Sequence, residues 1–180
     1  MCPDPQESSF DACRRRLPIV GVMGSGEHAH EDLAAPLGRW LATQPVHLLT
    51  GGGRGTMEAV GRAFYHTPGR QGLSIGILPH CDHPNPWVEI AILTHLPLSG
   101  IHGTEPLSRN HINVLTAAAI VALPGAAGTA SEVTLARRYH RPVIAYLRER
   151  SDIPGLPDDV AATSNLEEVK RFVQRHVENL

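Results

Sequence analysis

Residues 119–129 read AIVALPGAAGT, a stretch typical of a buried strand that turns directly into a helix. The apolar run 119–123 has the length of a strand and contains no alternating polar residue. Uniform apolarity indicates burial on both faces, as in a parallel sheet covered by helices. A loop expected at 124–129 ends the run, and a helical pattern then continues from after Thr129 to about Tyr139.

Strand, turn and helix alternate in the same order along the rest of the chain. Further strands are expected at 17–22, 46–50, 74–78, 88–93 and 142–147. Helices are expected at 31–43, at 56–65, around Arg109 to Leu115, and from Leu166 to Val177. The alternation predicts a doubly wound α/β domain of Rossmann-like type, with a single, mostly parallel sheet and helices on both faces. We expect this domain to span 17–180 and to follow a flexible N-terminal arm, 1–16.

The composition excludes several classes of function. The 180 residues carry a formal net charge of −2, which argues against a nucleic-acid-binding protein that works by bulk positive charge. Lys170 is the only lysine and lies in the expected closing helix. Neither a Walker-type ATP site nor a Schiff-base lysine for pyridoxal phosphate is therefore expected, and we predict no resident cofactor.

The cysteines and the apolar runs indicate the compartment. Cys2, Cys13 and Cys81 are odd in number and widely spaced, which predicts a reducing environment rather than a disulfide scaffold or a zinc ribbon. The first 16 residues lack the apolar stretch of a signal peptide, and the longest apolar runs are only strand-sized. We expect a cytoplasmic protein without a membrane partner.

Three glycine-bearing loops follow expected strands and lead toward helices. They are Gly24-Ser25-Gly26, Gly51-Gly52-Gly53-Arg54-Gly55-Thr56, and Pro124-Gly125 with Gly128-Thr129. Each is either a tight strand-to-helix turn or an anion site, in which backbone amides and a helix N-terminus approach a phosphate. Three such loops at one sheet edge favour a phosphate-bearing ligand. Arg54 either closes on that phosphate or is an exposed turn residue.

A dinucleotide cofactor is a weaker interpretation of the first loop. Residues 24–29 match G-x-G-x-x-A formally, but an acidic residue is also needed about 20 residues further on to hold the ribose. Thr50 and Gly51 occupy that place.

Arg109 and Glu132 form the second candidate constellation. Arg109 lies shortly before the expected strand 119–123, and Glu132 lies shortly after it. A cation and a carboxylate are therefore expected to face one pocket. An alternative role for Glu132 is structural, since a carboxylate in the first turn of a helix interacts favourably with the helix dipole.

Two segments resemble the signatures of the LOG (LONELY GUY) superfamily: 51–59, GGGRGTMEA, and 124–132, PGAAGTASE. The second family signature is P-G-G-x-G-T-x-x-E. Its members were long mislabelled lysine decarboxylases, and the single lysine argues against that activity here. The resemblance covers roughly Ile19 to Tyr146.

The resemblance implies hydrolysis of the N-glycosidic bond of a nucleoside 5′-monophosphate, which gives free base and ribose 5-phosphate. It implies that the loops at Gly52–Thr56 and Gly125–Thr129 hold the 5′-phosphate. Arg109 and Glu132 occupy the positions of the family's catalytic residues by count. Glu132 would stabilise an oxocarbenium-like ribose or activate water, while Arg109 would position ribose, phosphate or base. A homodimer or a higher homo-oligomer is also implied.

One segment is more similar to another branch of the same superfamily. Residues 109–115, RNHINVL, with Ser131-Glu132-Val133 downstream, are similar to molybdenum-cofactor carriers, which bind a pterin phosphate without turning it over. Asn110 stands where the enzymes have lysine, and Ala126 replaces a motif glycine. The presence of both Arg109 and Glu132 favours the hydrolase. A carrier or sensor that binds a nucleotide or pterin phosphate is the alternative. A domain that serves a partner protein is the third possibility.

Two groups of histidines raise the question of a metal. His28-x-His30 and His80-Cys81-Asp82-His83 are the densest, but neither has the spacing of a known zinc site. We predict solvated loop histidines and no metal site. His80 to His83 follows the third strand and is a candidate ligand contact, as is the nearby Asn85.

Overall fold

Seven strands form one sheet in the computed structural model, which describes residues 17–79, 83–94, 96 and 108–178. In chain order the strands are β1 (Ile19–Met23), β2 (His47–Thr50), β3 (Ser74–Leu78), β4 (Ile90–Leu93), β5 (Ala119–Ala122), β6 (Val143–Tyr146) and β7 (Ala162–Thr163). Their order across the sheet is β4-β3-β2-β1-β5-β6-β7, and every neighbouring pair is parallel.

Helices cover both faces of the sheet. They are α1 (Glu31–Ala42), α2 (Thr56–Tyr65), α3 (Arg109–Thr116), α4 (Ala127–Arg138) and α5 (Leu166–Val177). Apolar side chains of α1, α2 and α5 pack on one face, against Val20, Leu48 and Val121. Side chains of α3 and α4 pack on the other face, against Met23, Leu49 and Ile120. The predicted doubly wound Rossmann-like fold is confirmed.

The chain reverses its winding direction between β1 and β5. From β1 it proceeds outward through β2 and β3 to β4, and it then returns to the other side of β1, where β5 pairs with it from Val20–Ala119 to Met23–Ala122. The loops after β1 and β5 therefore leave the sheet in opposite directions. A crevice opens at such a point, and ligands of this fold class bind there.

Two details differ from the expectations drawn from sequence. Strand β7 was not predicted, because two residues between turns carry no periodic signal. Strand β4 departs from the burial on both faces that was inferred from the apolar strands, since Ile90, Ile92 and Leu93 are 40%, 42% and 51% exposed. The reason is that β4 lies at the sheet edge and pairs only with β3 within the described residues. The predicted arm, 1–16, lies outside those residues.

Candidate functional site

A cavity of about 620 Å³ lies at the carboxyl ends of the central strands, where the winding reverses. Its size is in the range of sites that hold small-molecule ligands. Loops that follow β1, β2, β5 and β6 contribute to its wall, together with the first turns of α3 and α4. Of the predicted site residues, those that line it are Gly24, Ser25, Gly26, Gly51, Arg109, Pro124, Gly125, Gly128, Thr129 and Glu132.

Backbone hydrogen bonds connect the loops around this cavity into a continuous rim. The amide of Ser25 donates to the carbonyl of Pro124 at 3.0 Å, which joins the β1 and β5 loops. Thr56 N donates to Ser25 O at 2.9 Å and joins the β2 loop, while Gly125 N donates to Asp152 O at 3.0 Å and joins the β6 loop. The rim is therefore held by main-chain atoms, and its shape depends little on exposed side chains.

The loop after β1 turns around the hydroxyl of Ser25. Ser25 Oγ accepts hydrogen bonds from the amides of Glu27 at 3.1 Å and His28 at 3.0 Å. Gly24 has no room for a side chain, because a Cβ there would lie 2.7 Å from Thr56 Cγ2 and 3.2 Å from Leu123 Cβ. The first glycine of the loop thus permits close packing, and Ser25 shapes the turn beside the cavity.

Most of the triglycine loop after β2 lies behind the cavity wall rather than in it. Gly52, Gly53, Gly55 and Thr56 are absent from the lining in the described part of the chain, and Arg54 is exposed. Gly52 and Gly55 have positive φ angles of 72° and 63°, which explains glycine at both positions. Thr56 Oγ1 donates to His28 O at 3.0 Å. The geometry gives this loop a supporting role, while a ligand contact by Arg54 stays a prediction.

Asn85 holds the same loop from the β3 side. Its Nδ2 donates to Gly52 O at 3.1 Å and to Gly53 O at 2.7 Å, and its own amide donates to Gly52 O at 2.8 Å. Asn85 is only 7% exposed. It therefore positions the loop backbone and does not line the cavity.

The N-terminus of α4 faces the cavity and has the features of an anion site. Its first intrahelical acceptor is Ala126 O, which bonds Ala130 N at 3.1 Å, so the amides of Ala127, Gly128 and Thr129 precede any intrahelical partner. Ala126 supplies no side-chain cap. Gly128 lines the cavity, and a Cβ there would meet no described atom within 4 Å outside the adjoining helix backbone, so the space beside this turn is open. Such amides and the helix dipole favour a bound phosphate.

Glu132 lies in the second turn of α4, which corrects the placement in the first turn. The helix begins at Ala127, three residues before the expected start after Thr129, so a favourable dipole interaction does not explain the carboxylate. Glu132 is 7% exposed and lines the cavity. Burial raises its pKa, although the charge of Arg109 and a 2.9 Å hydrogen bond from Asn113 Nδ2 both lower it.

Arg109, the first residue of α3, spans the ends of two strands. Its Nη1 donates to Gly51 O at 2.7 Å and to Ile77 O at 2.6 Å. A Cβ at Gly51 would lie 2.5 Å from that nitrogen, so glycine there allows the guanidinium to approach the backbone. The arginine lines the cavity and also fixes the ends of β2 and β3.

A polar seam between α3 and α4 supports Glu132. Asn110 Nδ2 donates to Ser131 Oγ at 3.3 Å, one turn before Asn113 bonds Glu132. Asn110 and Asn113 are 1% and 0% exposed. Sequence reasoning noted Asn110 only as a departure from the enzymes and missed the role of Asn113. Two asparagines three residues apart, on the same face of the expected helix, were the available signal.

His28 and His30 both line the cavity, with ring centroids 6.0 Å apart. Within the described ranges, no group of three or more histidine, cysteine, aspartate or glutamate side chains could hold a metal ion. The second histidine group falls largely on 80–82, outside the described residues. In the same ranges, no helix is both long enough and apolar enough to cross a membrane.

A sequence profile of the SLOG cluster4 family matches residues 17–177, nearly the whole chain with the cavity and both glycine signatures. The chain belongs to the SLOG cluster4 family. The predicted resemblance to the LOG and molybdenum-cofactor carrier superfamily is thereby confirmed. A comparison with curated proteins finds no match.

Solved structures similar to this SLOG cluster4 chain include two cofactor-binding proteins. The molybdenum cofactor binding protein from the phototrophic bacterium Rippkaea orientalis is 31% identical, with a TM-score of 0.71, over 89% of this chain and 98% of that one. The Moco carrier protein from Chlamydomonas reinhardtii is 28% identical, with a TM-score of 0.72, over 92% of this chain and 100% of that one. TM1055, at 22% identity and a TM-score of 0.71, over 88% of this chain and 99% of that one, shows the fold alone.

Proposed function

We propose that this protein binds a pterin phosphate of the molybdenum-cofactor type and holds it without chemical turnover, as a carrier. The ligand's phosphate lies against the first turn of α4, where the amides of Ala127, Gly128 and Thr129 precede any intrahelical acceptor. The Ser25 turn faces it across the crevice, and the pterin extends into the remaining volume. The names of the relatives from Rippkaea and Chlamydomonas support this choice of ligand.

The burial of Glu132, which is only 7% exposed, is the observation that favours binding over hydrolysis. Cleavage of an N-glycosidic bond develops positive charge on the ribose, which an ionised carboxylate stabilises. Here the carboxyl group is buried. Burial raises its pKa, which favours the neutral form of the group. A neutral carboxylic acid offers one donor and one acceptor to a bound ring but stabilises an oxocarbenium ion poorly.

Hydrolysis of nucleoside 5′-monophosphates is the second candidate, and one observation favours it. Arg109 and Glu132 line the same cavity as the α4 N-terminus, which is consistent with the catalytic arrangement that the resemblance to the enzymes implies. The charge of Arg109 also lowers the pKa of Glu132 and so opposes the effect of burial. The reaction would break the C1′–N bond, transfer water to C1′ and release the protonated base.

One experiment separates the two candidates. The purified protein is incubated with metal-free molybdopterin, AMP or GMP, while its melting temperature and the appearance of free base are both measured. A carrier is stabilised by the pterin phosphate by about 5 to 10 °C at a ligand concentration of roughly 100 times Kd, without product from any nucleotide.

The matched control is Glu132→Gln, which keeps the size and the acceptor oxygen of the side chain. Free base formed by the wild type and lost in this variant would establish the hydrolase instead. If no ligand shifts the melting temperature and no base appears, the protein serves a partner, the third possibility. The expected self-association also stays a proposal, and sedimentation of the free protein tests it.

A further inference from the structure

His28 and His30 stand on one side of the cavity and belong to no function assigned so far. His28 is anchored through its backbone on both sides, since its amide donates to Ser25 Oγ at 3.0 Å and its carbonyl accepts from Thr56 Oγ1 at 3.0 Å. The carbonyl of His30 accepts from the amides of Leu33 at 3.0 Å and Ala34 at 2.8 Å. Both rings therefore project from a fixed backbone.

The backbone conformation of His30 is unusual, and capping of helix α1 by its side chain does not explain it. Its φ and ψ of 44° and 49° are left-handed, and its side chain makes no cap hydrogen bond to α1. A left-handed non-glycine residue costs of order 1 kcal/mol or more and is found disproportionately at ligand sites. Glycine would adopt these angles without strain. Because His30 also lines the cavity, its imidazole is placed to contact a bound ligand.

The charged groups around His30 are already engaged with one another. Arg148 Nη2 bonds Asp32 Oδ1 at 2.5 Å and Oδ2 at 2.6 Å, while Asp152 Oδ2 accepts from the amides of Arg148 and Glu149. Burial, with the charges of Arg148 and His28, lowers the pKa of His30, although Asp32 and Asp152 oppose this. A neutral imidazole offers one N–H donor and one nitrogen lone pair.

The pair does not fit a resident metal ion, because such a site needs three or four protein ligands, and the described residues contain no such group. It does fit a metal that arrives with its own ligands. We propose that His28 and His30 form the subsite for the metal-bearing end of the ligand, where imidazole N–H groups donate to oxygen atoms bound to the metal. This proposal rests on the proposed function.

The test compares two forms of one ligand. Affinities for metal-free molybdopterin and for the molybdenum-loaded cofactor are measured without oxygen, by ligand-induced stabilisation, for the wild type, His28→Ala and His30→Gly. We expect each variant to bind the loaded form about 10-fold more weakly, as for the loss of one hydrogen bond to a charged group, and the metal-free form nearly unchanged.

His140→Gly is a matched control, because His140 also has a positive φ, 52°, and follows the distant C-terminus of α4. The His140→Gly variant should bind both ligand forms as the wild type does. Neither His30→Gly nor His140→Gly should have a melting temperature below that of the wild type. Equal losses for both ligand forms in the cavity variants, or no loss, would overturn the subsite while leaving the proposed function intact. Failure of the wild type to bind either form would overturn both.

Discussion

Asn113 Nδ2 lies 2.9 Å from Glu132 Oε1, so a fully buried amide of α3 donates to the cavity carboxyl group of α4. Asn113 Oδ1 is buried and has no hydrogen-bond partner among the described residues. With the amide reversed, that oxygen would accept the proton of a carboxylic acid. Asn113 can therefore serve Glu132 in either protonation state, and it fixes the carboxyl group in both.

Replacing Glu132 with Gln should stabilise the free protein at neutral and alkaline pH. Burial raises the pKa of Glu132 in the folded state above its ordinary value of 4.5. The stability that the neutral form contributes is complete below that ordinary pKa and is lost as the pH rises through the raised, folded-state pKa. Each unit of the shift is worth about 1.4 kcal/mol. Melting temperatures measured from about pH 4 to about pH 8 should show the variant's advantage growing with pH.

Glu89→Gln provides a control of the opposite sign. Partial burial raises the pKa of Glu89, but hydrogen bonds from Arg70 and Ser74 N outweigh it and lower the pKa overall. This variant should therefore be less stable than the wild type above the ordinary glutamate pKa, and the deficit should shrink as the pH falls through the lowered value. Parallel pH profiles for the two variants would contradict the assignment of a raised pKa to Glu132.

Gly128→Ala should separate binding from stability. A Cβ at this position meets no described atom within 4 Å, and alanine favours a helix over glycine by roughly 0.5–1 kcal/mol. The variant is expected to melt at or above the wild-type temperature but to bind metal-free molybdopterin at least about 10-fold more weakly, since the methyl group blocks the α4 amides. Thermal melts with and without the ligand measure both effects.

Gly125→Ala is the companion variant, with the opposite expected effect on folding. A Cβ there would overlap Thr129 Oγ1, so the substitution should lower the melting temperature of the free protein. If Gly128→Ala bound the ligand as the wild type does, the phosphate would not lie against this helix turn.

Arg109→Ala should destabilise the protein even without a ligand. The guanidinium donates to Gly51 O and Ile77 O, and hydrogen bonds from a charged group contribute about 1.5–3 kcal/mol. We expect a loss of roughly 2–4 kcal/mol in the free energy of unfolding, measured by urea denaturation. Arg62→Ala, which removes an exposed ion pair with Glu31, should cost about 1 kcal/mol or less. Equal costs for the two substitutions would show that Arg109 has no structural role.

Local patterns were sufficient to predict most of the fold. The bounds of α2, β3 and α5 agree with the predicted ones, because each has a complete apolar period and a clear turn at both ends. The exposure of β4 was not predictable, since an apolar run does not state whether a strand lies in the centre or at the edge of a sheet. Edge position is a property of the whole topology.

The sequence predicted where the candidate site lies, but it did not predict which of its residues line the cavity and which only support the loops. Glycine signatures identified the loops, but only Gly51 of the triglycine loop lines the cavity in the described residues. Gly55 serves packing instead, because a Cβ there would overlap Ser25 O. Contacts such as Asn85 with Gly52 or Asn113 with Glu132 join elements far apart in sequence, and single-sequence patterns contain no information on such pairs.

Opening the cavity by moving one loop would break backbone hydrogen bonds to its neighbours, since Ser25 alone bonds both Pro124 and Thr56. Asp152 and Gly125 extend the same chain of bonds to a further loop. The loops of the described rim are therefore expected to move as one body, and none of these described loops should act as a gate by itself. Residence time would then depend on the contacts that the molecule itself makes, so variants of the cavity wall should change the dissociation rate far more than the association rate.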